Sequence, residues 1–247
     1  MKKLKFLIPF ASLLILAACG PKSEGTDAEV SEAKEVEEVS SSAAEYAIDT
    51  ESSKVSWIGS KPVGKHNGFI PVSGGSIKVE DGAIVGGVIT ISVNDIHCED
   101  LAEDSVMNAK LIGHLKSPDF FAAEEFPTAE FIVTSVEEYS GEDVIEDKEE
   151  IEYEFKPASA SEHMVESPTH KITGNLTMRG TTLSVSFPAS VSMSDGTISA
   201  KAKFNIDRTR WGLKYGEEAS ISEKAKDKFI YNTVNVGFDL TASSSAS

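Results

Sequence analysis

Cysteine and positive charge are both scarce in this chain of 247 residues. Its two cysteines, Cys19 and Cys98, allow one disulfide at most, which excludes a small fold held together by disulfides. The 23 lysines and arginines are outnumbered by 40 aspartates and glutamates, and a net charge of −17 repels phosphate backbones. We therefore expect no nucleic-acid partner. Hydrophobic residues still make up 40% of the chain, which is enough for a packed core.

The motifs of the common enzyme classes are missing as well. The chain has no Gly-x-Ser-x-Gly elbow, no His-Glu-x-x-His pair, no phosphate-binding loop and no dinucleotide-binding glycine pattern. The five histidines are scattered, and the adjacent His97 and Cys98 supply too few ligands for a metal. We predict no catalytic residue, no metal and no cofactor, with an inert, partly buried thiol at Cys98. An enzyme acting through His114 or Cys98 would need a nucleophile–base pair that the sequence does not show.

One long apolar run is present, and it lies at the N-terminus. Residues 1–18 combine a basic start with an apolar segment that is too short to cross a bilayer, which is typical of a secretion signal. Leu16-Ala17-Ala18-Cys19 resembles a bacterial lipobox, which implies that Cys19 is acylated and anchors the chain to a membrane. We expect a lipoprotein of the cell envelope, on the outer membrane facing the periplasm or at the cell surface. An ordinary secretion signal with an incidental cysteine is the alternative.

Composition divides the rest of the chain. Residues 19–45 are rich in Ser, Glu and Ala, which predicts a flexible acidic tether before a folded domain at 46–242 and a disordered tail at 243–247. A second acidic block, residues 137–154, predicts a solvated loop or hairpin extension within the domain. A calcium site is the alternative there, although the spacing lacks the EF-hand pattern. The carboxylates of such a site would be Glu142, Asp143, Glu146 and Asp147.

Within the predicted domain, apolar and polar residues alternate with a period of two. The clearest stretches are residues 55–57, 89–93, 183–187, 200–206 and 234–240. Such alternation predicts strands with one face in water and the other in an apolar interior. Glycine turns separate the stretches and the helices of a parallel sheet are missing, so the sequence predicts an all-β antiparallel barrel or sandwich. One amphipathic helix is predicted over residues 102–115 and a second short helix within 221–229.

Three segments and the start of the predicted domain carry a set of short motifs. The first is Asn108-Ala109-Lys110-Leu111 followed by Ser117-Pro118-Asp119-Phe120-Phe121 and an aromatic strand that ends at Phe131. The second, residues 172–182, contains Gly174-Asn175-Leu176-Thr177, and the third, residues 206–213, contains Arg208-Thr209-Arg210-Trp211-Gly212. The start of the domain adds Tyr46-x-Ile48-Asp49 and Val55-x-Trp57. Together these segments cover about residues 46–241 and resemble the YceI-like family of bacterial envelope proteins, the last two being similar to the first strand of that family.

The resemblance implies an extended lipocalin-like antiparallel β-barrel whose interior holds a long isoprenoid or a similar amphiphilic lipid. Small residues at Gly174, Ala200 and Ala202 would leave room for it. The candidate wall residues are Trp57, Phe69, Ile89, Ile91, Val93, Leu111, Phe131, Val133, Leu176, Val185, Phe187, Phe204, Ile206, Trp211 and Phe238. The candidates for binding a head group at the mouth are Lys110, His114, Arg208 and Arg210.

The function implied is non-enzymatic binding, sequestration or transport of a polyisoprenoid or other amphiphilic lipid by a membrane-tethered protein. A packed barrel core produces the same alternation of apolar and polar residues as a lined cavity. The sequence therefore does not distinguish the two. The alternative is therefore an envelope stress or interaction module with a closed core and no ligand, contacting an unknown protein partner through residues 137–154.

Overall fold

The structure, a computed structural model, describes residues 25–61, 64–141, 164–217 and 229–244. This part of the chain contains eleven β-strands and one α-helix. The strands are β1 (Glu29–Glu32), β2 (Ala44–Ile48), β3 (Lys54–Lys61), β4 (Gly64–Glu80), β5 (Ala83–Ser92), β6 (His97–Cys98), β7 (Thr128–Glu138), β8 (His170–Met178), β9 (Thr181–Ser194), β10 (Thr197–Asp207) and β11 (Thr233–Ser244), and the helix is α1 (Ser105–Lys116).

Eight strands close into an antiparallel barrel. Strands β3, β4, β5, β7, β8, β9, β10 and β11 pair in that order, and β11 returns to β3. Strand β2 also lies between β11 and β4, at the end of the barrel away from β3. Closure removes the exposed strand edges that an open sheet presents. The predicted all-β, lipocalin-like antiparallel barrel is thus confirmed.

Three hairpins between successive barrel strands turn on dipeptides with positive φ at both positions. These are Asp81–Gly82, Arg179–Gly180 and Asp195–Gly196, with φ between 50° and 81°. Positive φ at both central residues is the type I′ geometry, whose twist matches that of the flanking strands. The glycine accepts this conformation at little cost, because it has no Cβ. The glycine turns in the sequence therefore predict correctly where these strands end and begin.

Helix α1 lies against one end of the barrel. It begins after Asp104, whose side chain accepts a hydrogen bond from the backbone N–H of Met107 at 3.0 Å, and it ends before Pro118. Leu115 is buried, while Met107, predicted on the same apolar face, is 47% exposed. The predicted helix is therefore present with bounds shifted by one to three residues. The second predicted helix, within 221–229, lies outside the described residues except at its last position.

The segment predicted as a flexible tether packs on the barrel over much of its described length. We call residues 25–39 the N-terminal arm. Its strand β1 pairs antiparallel with β9, and the residues before it bond to Asn205 of β10: Asn205 N–H donates to Thr26 O at 2.8 Å, and Asn205 O accepts from Ala28 N–H at 3.0 Å. Strands β9 and β10 pair with each other only up to Ala189 and Ala202. The arm therefore fills the seam where these two strands diverge.

Polar residues on the outer face of the barrel explain why an acidic, serine-rich segment packs there. Asn175 is 5% exposed and its side chain bonds both backbone groups of Lys34, at 2.9 Å and 2.7 Å. Arg210 donates to the backbone O of Val30 at 2.8 Å. Composition suggested disorder because the arm has few large apolar side chains, but backbone pairing and side-chain hydrogen bonds hold it in place.

The predicted C-terminal tail also begins later than composition indicates. Ser243 and Ser244 extend β11 and pair with Ala47 and Tyr46 of β2. The predicted signal, Cys19 and most of the acidic block, including the alternative calcium site, lie in residues 1–24 and 142–163, outside the described residues. Among the described residues, no helix combines the length and the hydrophobicity needed to cross a membrane.

Candidate functional site

The barrel encloses a cavity of about 470 Å³. Side chains from all eight barrel strands and from α1 line it, and nearly all of them are apolar. The polar and charged exceptions lie at one end, which we call the mouth: Lys61, His66, His114, Arg208 and Tyr215. Tyr215 is 48% exposed, so the mouth reaches solvent. The interior is therefore a lined cavity and not a filled core.

Thirteen of the fifteen candidate wall residues line this cavity. They come from β3, β5, β7, β8, β9, β10 and β11, from α1 and from the turn after β5. They are Trp57, Ile89, Ile91, Val93, Leu111, Phe131, Val133, Leu176, Val185, Phe187, Phe204, Ile206 and Phe238. The period of two places the side chains of each strand on alternate faces, so the inward set could be read directly from the sequence.

Two candidate wall residues lie elsewhere. Phe69 is on the outer face of β4, where its ring stacks on His97 with centroids 4.6 Å apart, because its neighbour Ile70 occupies the inward position. Trp211 is completely buried, but in the turn after β10, where its indole N–H donates to the backbone O of Leu176 at 3.0 Å. It supports the wall without facing the cavity.

Four phenylalanines meet inside the barrel. Phe187 lies at their centre, stacked on Phe204 with centroids 4.0 Å apart. It also contacts Phe131 at 5.7 Å and Phe238 at 5.4 Å. Gly174 on β8 makes room for this cluster, because a Cβ there would collide with the ring of Phe131. Glycine and phenylalanine on neighbouring strands thus shape the cavity wall together.

Of the four candidate mouth residues, His114 and Arg208 line the cavity. The ring of His114 packs edge-on against Phe120 and Tyr215, at 5.1 Å and 4.4 Å. Arg208 is 3% exposed, and its guanidinium donates to the backbone O of Leu213, of Ile230 at 3.0 Å and of Tyr231 at 3.1 Å. Arg208 therefore braces the loops at the mouth.

The other two mouth candidates lie away from the cavity. Lys110 is exposed on α1, and Arg210 holds the N-terminal arm through Val30. The spacing of Arg208 and Arg210 does not predict which of them faces the cavity, because both belong to a tight turn rather than to a strand.

Several lining residues were missed by the sequence analysis. Ile70 and Ile77 line the cavity from β4, where Pro71 and several glycines obscure the alternation, and Ile48 lines it from the short strand β2. Phe120 and Tyr215 line the mouth from loops that have no periodic signal. The period of two in Tyr46-x-Ile48 was the one signal that could have added Ile48.

A second cluster of polar side chains lies beside the mouth. His66 Nδ1 is 2.8 Å from Asp100 Oδ2, and Cys98 Sγ is 3.2 Å from Asp100 Oδ1. Burial raises the pKa of the Cys98 thiol, and the Asp100 carboxylate raises it further. Burial also pushes the pKa of Asp100 upward, but hydrogen bonds from Asn67 N–H, His66 and Cys98 outweigh it and hold the pKa of that carboxyl below its ordinary value.

Residues 46–242 match the YceI-like domain. The chain belongs to the YceI-like family. The resemblance seen in the sequence motifs is thereby confirmed for the whole barrel. No curated protein matches the chain.

Several solved structures align with this YceI-like domain at low sequence identity. BcnA from Burkholderia cenocepacia aligns with a TM-score of 0.50 and 18% identity, over 79% of this chain and 99% of that chain. A polyisoprenoid binding domain from Saccharophagus degradans, implicated in plant cell wall breakdown, aligns with a TM-score of 0.49 and 14% identity, over 81% and 98%. The YCEI protein of Campylobacter jejuni aligns with a TM-score of 0.42 and 15% identity, over 66% and 75%.

Proposed function

We propose that this protein binds the hydrocarbon chain of a polyisoprenoid or a similar amphiphilic lipid inside its barrel, without catalysing a reaction. The observation that carries the proposal is the cavity of about 470 Å³ with its almost wholly apolar lining. Small-molecule sites generally have volumes of about 300–1,000 Å³. An apolar cavity of this size that opens at one end accepts a flexible chain while its polar end stays at the mouth.

The volume sets the length of chain that is buried. An apolar cavity of about 150 Å³ is enough for benzene, so this cavity has room for roughly eighteen carbons, or about four isoprene units. Burial contributes about 0.8 kcal/mol per CH₂, which makes the gross gain roughly 14 kcal/mol. Ordering and association costs of at least about 4 kcal/mol oppose it. Tight binding thus needs no polar recognition along the chain.

The polar end of the ligand would contact the residues of the mouth. The basic side chains that line it are Lys61, His66, His114 and the braced Arg208, and His66 is already paired with Asp100. We therefore assign head-group contact to Lys61 and His114, and leave Lys110 and Arg210 out of it.

The setting that we propose is the bacterial envelope. The lipobox-like sequence ending in Cys19 supports a membrane anchor on the outer membrane facing the periplasm. The N-terminal arm would then connect the anchor to the barrel wall. A barrel held at a membrane surface is suited to sequestering or transferring lipids, because the membrane that supplies the lipid and the cavity that receives it lie close together.

The test is a titration of the delipidated Cys19→Ser chain with geranylgeraniol, a twenty-carbon isoprenoid alcohol. The chain has two tryptophans, and Trp57 lines the cavity. We expect a saturable change in tryptophan fluorescence at one ligand per chain. Trp57→Phe should abolish the signal while binding, followed by calorimetry, persists. Unsaturable or absent binding in both measurements would exclude the proposal.

A further inference from the structure

The His66–Cys98–Asp100 cluster supplies three different metal ligands at one point. Its donor atoms are an imidazole nitrogen, a thiol sulfur and a carboxylate oxygen, all within 4.8 Å of one another. Zinc binds these three atom types at about 2.0–2.3 Å, which places ligand atoms of a tetrahedral site roughly 3.3–3.6 Å apart. His66 Nδ1 and Cys98 Sγ lie 2.8 Å and 3.2 Å from the two oxygens of Asp100, and no two of the three donor atoms are more than 4.8 Å apart. Metal binding would therefore draw the most distant pair together by at most about 1.2 Å.

We propose that His66, Cys98 and Asp100 form a binding site for a thiolate-preferring divalent cation of the zinc type. A nitrogen, a sulfur and an oxygen ligand together favour zinc over magnesium or calcium, which prefer oxygen alone. As the metal binds, the thiol proton leaves to solvent and the imidazole proton moves from Nδ1 to Nε2. Three protein ligands leave a fourth position for water or an exogenous ligand.

The backbone holds the cluster in place before any metal arrives. Strand β6 pairs with β4 so that Cys98 lies opposite Gly68, two residues from His66. Asn67 accepts a hydrogen bond from Glu99 N–H at 2.8 Å, and its own N–H donates to Asp100 Oδ1 at 2.8 Å. This second bond orients the carboxylate and leaves Oδ2 toward His66. Such fixed orientation of ligands is what raises the affinity of metal sites.

Gly68 is required for this arrangement. A Cβ at position 68 would collide with the backbone O of His97, so any other residue would push β6 away from β4. The side chain of Asn108 on α1 also donates to the backbone O of Cys98, at 3.0 Å. Two elements thus hold Cys98 beside His66.

Two of the three ligands reach solvent, whereas Cys98 is buried at 7% exposure, and the cluster lies next to the cavity. The side chains of His66 and Asp100 are 29% and 28% exposed, and the ring of His66 lines the mouth. His97, next to Cys98 in sequence, turns away to stack on Phe69 and is not a ligand. The proposal does not depend on lipid binding, because it needs no ligand in the cavity.

The experiment is a Co²⁺ titration of the full chain carrying Cys19→Ser, so that Cys98 is its one thiol. We expect one Co²⁺ per chain, a near-ultraviolet sulfur-to-cobalt charge-transfer band and visible bands of tetrahedral coordination, all removed by Zn²⁺. Cys98→Ser should abolish the charge-transfer band. His66→Gln and Asp100→Asn should each weaken binding about tenfold or more.

His97→Ala is the matched control, because it changes a neighbouring exposed histidine and leaves all three ligands in place. It should bind Co²⁺ as the unsubstituted protein does. Gly68→Ala should weaken binding without altering a ligand. A spectrum without the charge-transfer band would overturn the proposal, and so would equal losses in His97→Ala and His66→Gln. Far-ultraviolet circular dichroism checks that each variant is folded.

Discussion

Gly59 offers a direct way to fill the proposed lipid site. It lies on the inward face of β3, two residues from Trp57, and it lines the cavity near the mouth. A Cβ at this position would meet no atom within 4 Å, so a larger side chain can leave the backbone there without a collision at its Cβ. Gly59→Phe should therefore leave the barrel intact and occupy space that the ligand needs.

The expected loss follows from the carbons displaced. The phenylalanine side chain has seven carbons, and excluding as many ligand carbons costs up to about 5.5 kcal/mol at about 0.8 kcal/mol each. A flexible chain can shift toward the mouth and recover roughly half of this. The remaining loss of about 2.5–3 kcal/mol corresponds to an affinity roughly 60- to 150-fold weaker.

The assay is the geranylgeraniol titration followed by calorimetry. Gly74→Phe is the matched control, since Gly74 is a strand glycine of the neighbouring β4 that likewise has no atom within 4 Å of an added Cβ but does not line the cavity. It should bind as tightly as the unsubstituted protein. The melting temperature of Gly59→Phe without ligand should be unchanged or higher, because a strand glycine is replaced by a buried ring. Equal affinities of Gly59→Phe and Gly74→Phe would refute the cavity as the binding site.

Three further predictions concern packing, the arm and pH. Gly174→Ala should destabilise the barrel by about 1–3 kcal/mol in urea unfolding, because its Cβ collides with Phe131; an unchanged midpoint would contradict this packing. Asn175→Ala should release the N-terminal arm at Lys34, seen as faster amide exchange in residues 26–36 with exchange in β5 unchanged. Because the pKa of Asp100 is lowered on folding, its carboxylate stabilises the fold at pH values above 3.8, the ordinary pKa of an aspartate. This stabilisation is lost as the pH falls through the pKa of Asp100 in the folded state. The stability difference from Asp100→Asn should therefore shrink below pH 3.8, and a constant difference would exclude the effect.

The inward faces of the strands could be predicted from the sequence because a period of two is a local property. Residues such as Ile91 and Phe204 alternate strictly with polar neighbours and need no tertiary information to be assigned. Phe69 shows the limit of this approach, since Phe69 and Ile70 are adjacent apolar residues and the sequence does not say which one faces inward.

Contacts between distant segments could not be predicted in the same way. His66 and Cys98 are 32 positions apart and meet only because β6 pairs with β4. The N-terminal arm has the composition of a disordered segment and is held by backbone pairing with β9. Arg208 has the residue type of a phosphate ligand but is bonded to backbone carbonyls at the mouth. In each case the partner, not the residue type, determines the role.

The central claim is that the apolar cavity holds a lipid chain, and a mass spectrum of an organic extract from freshly purified Cys19→Ser protein tests it most directly. Extraction of the Gly59→Phe variant of that chain provides the comparison. We predict about one long-chain lipid per molecule, with an apolar chain of at least roughly eighteen carbons, and a clear loss in the variant. Extracts without lipid, from a protein that also takes up no added geranylgeraniol, would contradict the account.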